Sequence, residues 1–277
     1  MDNLVGRVAV ITGGASGIGR ALAEAALARG MHVVIADVER AALEKTAAEL
    51  GAVGVVTDVT DLRQVEALAA ATIARFGRVD LVANNAGVGG GGFVSDLTMK
   101  DWQWVLGVNL WGAIHVVQAF LPHLVANPEG AHLVNTASIA GLFGAPGIAP
   151  YCASKFALVG LSESLAREME MSGTDVKVSV LCPGYVRTNI FDSQRNRPPE
   201  LRNPNANADA RARNDEIKAA VDALAISPSQ VAEDVFSAVA EGRFWIFTHP
   251  EMMGVVEERH VAIAQATREA AGDGAGG

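Results

Sequence analysis

With 277 residues, half of them hydrophobic, and a mean hydropathy of +0.23, the chain carries enough apolar material for one large core. Its 22 basic and 31 acidic residues leave a net charge of −9 with no long basic run, which argues against general affinity for nucleic acid or anionic membranes. Two cysteines, Cys152 and Cys182, are too few for a disulfide framework, lack metal-ligand spacing and lie in apolar context that suits buried free thiols.

An apolar run at residues 7–12 predicts a buried first strand, with no secretory signal before it; a reducing cytoplasm is the expected compartment. Glycines follow, then a helix over 17–29, a strand over 32–36 and a helix over 40–50. A third strand at 54–57 leads to a helix over 61–76 with Asp61 as its cap, and a fourth strand is expected at 79–83. A glycine-rich loop, 87–92, precedes a helix that starts near Thr98, with Asp101 in the capping-box position.

Residues 102–128 contain no charged side chain and are long enough to span a bilayer. Gln103, Asn109, His115, Gln118, Pro122, His123 and Asn127 interrupt them, so a helix buried in the protein or at a subunit interface is expected. Trp102, Trp104 and Trp111 read as core or interface residues. A fifth strand at 132–137, a helix over 150–171 and a sixth strand at 176–181 follow, the last stopped by Pro183 and Gly184. Residues 192–215 are polar, arginine-rich and contain prolines; a substrate loop or lid is expected over about 188–226. Ser227 and Pro228 open a helix to Glu241, a seventh strand is expected at 244–247, and a flexible tail at about 268–277.

Strands without alternating polarity, joined by helices, mean a parallel sheet covered on both faces. The expected fold is α/β: a doubly wound, Rossmann-type, seven-stranded parallel sheet in a single domain.

The chemistry gathers after the strands. Thr12-Gly13-Gly14-Ala15-Ser16-Gly17-Ile18-Gly19 reads TGxxxGxG directly after the first strand. Such a turn lets a pyrophosphate approach the backbone and meet the unpaired N–H groups of the next helix. Asp37 ends the second strand, where a carboxylate bonds ribose hydroxyls and repels a 2′-phosphate, which points to NAD. Asp58-Val59 and Asn84-Asn85-Ala86-Gly87 follow the third and fourth strands, where open sheets bind ligands; each also suits an ordinary turn. Tyr151 and Lys155, at i and i+4, share a helix face, with Ser138 ending the fifth strand. A nearby ammonium and a cationic nicotinamide would favour the phenolate and bring the tyrosine toward working range. Ser138 could hold the substrate oxygen in line. His115, His123 and His132 form no metal-ligand pattern, and no metal is expected.

In order and spacing, residues 4–250 resemble the short-chain dehydrogenase/reductase family, in its compact single-domain branch. The resemblance rests on the TGxxxGxG turn, Asp58, the NNAG segment, Asn109, Ser138, Tyr151 with Lys155, and Pro183-Gly184 continuing to Thr188. It implies that Tyr151 is the general acid in reduction and the base in oxidation. It also implies that Lys155 bonds the nicotinamide ribose, that Ser138 polarises the carbonyl, and that Asn109 holds a water for proton relay; a buried packing amide is the plainer reading of Asn109. Pro183, Gly184, Val186 and Thr188 would contact the nicotinamide side.

The expected function is NAD(H)-linked hydride transfer between the nicotinamide and a secondary alcohol or ketone. Ile139, Ala140, Leu142, Phe143, Tyr185 and Phe191, with residues 89–93 opposite, suggest an apolar substrate. An NADPH-dependent 3-oxoacyl thioester reductase and a non-catalytic NAD-binding sensor are the alternatives. Relatives imply a homo-oligomer, tetramer or dimer.

Overall fold

The computed structural model describes residues 3–203 and 224–271. Seven strands, β1 (Val8–Thr12), β2 (His32–Asp37), β3 (Val53–Val56), β4 (Leu81–Asn84), β5 (Ala131–Thr136), β6 (Val176–Cys182) and β7 (Trp245–Phe247), form one sheet. Its order is β3-β2-β1-β4-β5-β6-β7, and every pairing is parallel. The helices are α1 (Gly17–Ala28), α2 (Arg40–Leu50), α3 (Leu62–Phe76), α4 (Met99–Leu106), α5 (Ala113–Val125), α6 (Ala149–Ser172), α7 (Pro228–Glu241) and α8 (Gly254–Ala270).

The strands are mostly apolar because both faces are covered. Ala9 and Ile11 of β1 pack with α1 and α7 on one side, while Val10 between them packs with α3 and α5 on the other. The predicted caps form: Asp61 accepts the Arg63 N–H at 3.0 Å, Ser227 accepts the Gln230 N–H at 3.2 Å, and Asp101 accepts the Thr98 N–H at 2.7 Å. Both cysteines are buried free thiols.

Three differences from the sequence pattern stand out. The uncharged stretch is two helices joined by a π-turn over Gly107–Gly112, rather than one regular helix. By length and composition Met99–Val125 could cross a membrane, yet Trp104, Val105, Val116, Phe120 and Leu124 are buried in the fold. Trp111, expected in a core or interface, is 57% exposed in the monomer, which excludes the core and leaves the interface. The expected tail at 268–277 begins too early, since α8 continues to Ala270; that helix is almost wholly exposed, so no apolar stripe announces it. The end of the tail, and the lid residues 204–223, lie outside the described residues. The described lid contains 3-10 turns at Ile190–Asn196 and Pro199–Leu201.

Strand β5 also buries a titratable group. His132 Nε2 lies 2.7 Å from Ser179 Oγ, whose hydroxyl donates to the Arg243 carbonyl at 2.6 Å. The serine therefore accepts, the imidazole carries its proton on Nε2, and buried Nδ1 is left without a partner. Burial pushes the His132 pKa down to about 3. The unfolded chain thus binds the extra proton between pH 6.5 and 3, and stability falls as pH falls through that window. In His132→Gln, which keeps the donor but cannot titrate, urea unfolding at successive pH values should show a shallower acid limb. One proton is worth about 1.4 kcal/mol per pH unit; equal slopes would rule out a buried neutral His132.

Candidate active site

The ends of β1 and β4 are tied together where the strand order reverses. Thr12 Oγ1 accepts the N–H groups of Asn85 and Ala86 at 2.9 and 3.0 Å, and Asn85 Nδ2 donates to the Thr12 carbonyl at 3.0 Å. Above this tie the chain turns through Gly13 and Gly17, at φ 65° and 55°. A Cβ on Gly19 would collide with the Gly13 carbonyl oxygen, so the turn has no room for a side chain there.

Ser16 occupies the N-cap of α1, but its side chain makes no capping bond. The first N–H groups of the helix, on Gly17, Ile18 and Gly19, thus present its positive end to the crevice. Asp37 Oδ2 accepts the Ala15 N–H at 3.1 Å and Oδ1 the Glu39 N–H at 3.0 Å, fixing the carboxylate beside the glycine turn. Burial raises its pKa, and those N–H donors oppose the rise. An uncapped helix start, a bare glycine surface and a carboxylate at the end of β2 together fit a dinucleotide.

The other expected cofactor residues reach the same sheet edge. Asp58 Oδ1 is engaged in a local turn, accepting the Thr60 N–H at 2.9 Å and its hydroxyl at 2.7 Å. Val59 is buried, and its carbonyl oxygen lies 2.8 Å from His115 Nδ1. Gly87 follows Asn85 and Ala86 beside Lys155 Nζ, which would lie 3.7 Å from a Cβ placed on it. After β6, the Pro183 carbonyl accepts the Ile139 N–H at 3.0 Å and the Gly184 N–H donates to Thr248 Oγ1 at 3.2 Å. Val186 is buried, and Thr188 lies against Gly17.

Tyr151 and Lys155 project from the first turns of α6 toward Ser138, which caps the short turn after β5. Lys155 Nζ sits 5.5 Å from the centre of the Tyr151 ring and donates to the Thr136 carbonyl at 2.7 Å. Burial pushes Lys155 down to about 8. Burial also raises Tyr151, while the Ser138 hydroxyl favours its phenolate. Within the protein alone the desolvation of Tyr151 outweighs that hydroxyl.

Asn109 sits in the π-turn and is buried. Its Oδ1 accepts the Val88 N–H at 2.8 Å, while Nδ2 donates to the Val88 carbonyl at 3.0 Å and to Ser154 Oγ at 3.3 Å. Three of its four possible hydrogen bonds are thus spent holding the loop after β4 against α6. A second buried chain does the same deeper down. Asn84 Nδ2 donates to Asn135 Oδ1 at 2.9 Å, Asn135 Nδ2 donates to Ser162 Oγ at 2.9 Å, and Ser162 donates to the Leu158 carbonyl at 2.7 Å. Sequence reasoning assigned no role to Asn135, Ser154, Ser162 or Thr136. The available signal was a polar residue inside an otherwise apolar strand or helix face.

Of the expected apolar residues, Ile139 and Ala140 are buried, whereas Phe191 and Phe93 are 38% and 49% exposed. Among the described residues no cluster of three or more His, Cys, Asp or Glu could hold a metal ion.

Residues 7–199 match the family described as short chain dehydrogenase. The chain belongs to the short-chain dehydrogenase/reductase family. A member from Burkholderia phymatum, solved in complex with NAD, is 44% identical and superposes with a TM-score of 0.93 over 96% of this chain and 97% of that one. A CLA biosynthesis dehydrogenase/reductase from Lactiplantibacillus plantarum is 33% identical over 94% of this chain and 93% of its own length. The 1-deoxy-11-beta-hydroxypentalenate dehydrogenase of Streptomyces arenae is 37% identical over 88% and 83%. This chain is accordingly an oxidoreductase of that family, with its seven-stranded parallel sheet.

Placing a methyl group on Gly19 tests the fit of the short-chain dehydrogenase/reductase turn. Gly19→Ala forces the Gly13 carbonyl to move, at a cost of about 1–3 kcal/mol for overpacking. It should lower the melting temperature and weaken NADH binding in a fluorescence titration; an unchanged dissociation constant would contradict the tight turn.

Proposed function

We propose that this short-chain dehydrogenase/reductase uses NAD(H) to interconvert a secondary alcohol and its ketone, the substrate being apolar. The observation that carries this reading is the convergence of Ser138, Tyr151 and Lys155 on the same sheet edge as the glycine turn and Asp37. A bound nicotinamide would supply or accept the hydride. Gly13, Ser16, Gly17, Ile18 and Gly19 would hold the pyrophosphate, and Asp37 the adenosine ribose. Asp58, Val59, Asn85, Ala86 and Gly87 would line the crevice, and Pro183, Gly184, Val186 and Thr188 would border the nicotinamide end.

Tyr151 gives its phenolic proton to the carbonyl oxygen in reduction and takes it back in oxidation. Ser138 donates to that oxygen and favours the phenolate. Lys155, anchored on the Thr136 carbonyl, retains N–H groups for a ribose hydroxyl. A positive charge arriving beside Tyr151 counters its desolvation, so the tyrosine reaches working range in the complex. Asn109 acts chiefly as a positioning residue; any water it holds would use its remaining acceptor site or its main chain.

The NAD complex of the Burkholderia phymatum relative supports the choice of cofactor, as does Asp37. Ile139, Ala140, Leu142, Phe143 and Tyr185 support an apolar substrate pocket under the segment 188–203. Exposed Trp111 and Met99 suit burial in a homo-oligomer, and two buried free thiols suit the reducing cytoplasm.

Two measurements check this reading. A ligand at about a hundred times its dissociation constant stabilises the fold by roughly 2.7 kcal/mol, so NADH should raise the melting temperature at far lower concentration than NADPH. Asp37→Ser should narrow that gap, and the reverse preference in the wild type would point to an NADPH-linked reductase. Tyr151→Phe should bind NADH normally yet lose about 10²–10⁴-fold in turnover, the usual worth of a general acid. Near-normal turnover would remove Tyr151 from the chemistry.

A further inference from the structure

The segment that leaves β6 turns back across the sheet. Within residues 187–197 it touches the loops that follow three other strands. Thr188 meets the glycine turn after β1, 3.1 Å from where a Cβ on Gly17 would lie. After β4, Gly89 donates its N–H to Ser193 Oγ at 3.0 Å, and a Cβ on Gly89 would come within 2.6 Å of the Ile190 carbonyl oxygen. After β2, Glu39 receives a fork of bonds. Arg195 Nη2 donates to Oε1 at 2.6 Å, Arg195 Nε to Oε2 at 3.2 Å, and Asn196 Nδ2 to Oε1 at 2.9 Å.

Strands β5, β4 and β1 separate β6 from β2. At the usual strand spacing that is a lateral distance of roughly 19 Å. A segment rooted on β6 that grips Glu39 must therefore pass over the crevice at the β1–β4 junction. Half-exposed ion pairs contribute little stability on their own, so the importance of this one lies in its fork geometry and its place.

That place is the ribose end of the proposed cofactor site. Glu39 lies two residues beyond Asp37 and gives its N–H to that carboxylate. The Asp37 charge also acts on Arg195. Two carboxylates and a guanidinium therefore meet where a ribose carries either a hydroxyl or a phosphate, and Glu39 already occupies the guanidinium.

We propose that Glu39 is a second cofactor-selecting residue, which clasps Arg195 to close segment 187–197 over the crevice and withholds that guanidinium from a 2′-phosphate. The proposal rests on the dinucleotide reading above. A ribose hydroxyl fits beneath the clasp, facing Asp37. A phosphate monoester faces both carboxylates and must compete with Glu39 for Arg195.

The test is the pair of dissociation constants for NADH and NADPH, by fluorescence titration, in wild type, Glu39→Gln, Arg195→Gln and the double variant, with folding checked by circular dichroism. Glu39→Gln should tighten NADPH about tenfold, the scale of one charge-assisted hydrogen bond, and the double variant should lose that gain. Arg195→Gln alone should leave NADPH weak. An unchanged NADH-to-NADPH ratio in Glu39→Gln, or a gain that survives in the double variant, overturns the clasp. A wild type that binds NADPH more tightly than NADH overturns the cofactor assignment instead, so the two failures are distinguishable.

Discussion

Thr12 is the hinge of this architecture. Its side-chain oxygen takes two N–H groups from the end of β4, while its carbonyl takes the amide of Asn85. Those three bonds hold together the ends of β1 and β4, from which the chain departs in opposite directions. A crevice at such a junction is a consequence of parallel topology. Asn85 and Ala86 of the NNAG segment are bonded directly to Thr12, and the glycine turn begins at the residue after it. The opposite edge of the sheet is held differently, by buried Asp80 between Arg7 and Arg78. The candidate binding residues and this structural ion pairing thus occupy opposite ends of the same strands.

Burying a charged group is costly. Lys155 is held near 8 rather than 10.5. Its ammonium costs the folded state on the order of 3 kcal/mol below pH 8, from about 1.4 kcal/mol per pKa unit. Because its folded pKa is depressed, the cost fades as pH rises from 8 to 10.5. The Thr136 carbonyl compensates part of it, and the Asn84–Asn135–Ser162 chain keeps α6 from relaxing away. Such a fully bonded internal polar network is worth more for placement than for stability. It fixes Tyr151 and Lys155 against the end of β5, where a reacting oxygen would sit.

The apolar runs made the seven strands readable, and glycine, proline and capping residues marked most helix limits. Tyr151, Lys155 and Ser138 were legible because their spacing encodes a shared face and an adjacent strand end. The supports of the site were not. Asn135, Ser162 and Thr136 act through pairings between elements far apart in sequence, which no local period reveals. The bond between Glu39 and Arg195 joins residues on opposite sides of the crevice for the same reason. The π-turn around Asn109 keeps helical dihedrals and helical composition, so the pattern read straight through it. Helix α8 escaped notice because it buries only Val256.

The function proposed for this chain is the transfer of one hydride across the crevice while Tyr151 manages one proton. The most direct test is isotopic: incubate the protein with NADH carrying deuterium at both nicotinamide C4 positions and a panel of apolar ketones, and weigh the alcohols formed. The expected result is one deuterium on the carbinol carbon of the product, formed about 10²–10⁴-fold more slowly by Tyr151→Phe under the same conditions. Alcohol without deuterium, or no reduction of any ketone by a protein that binds NADH, would contradict it.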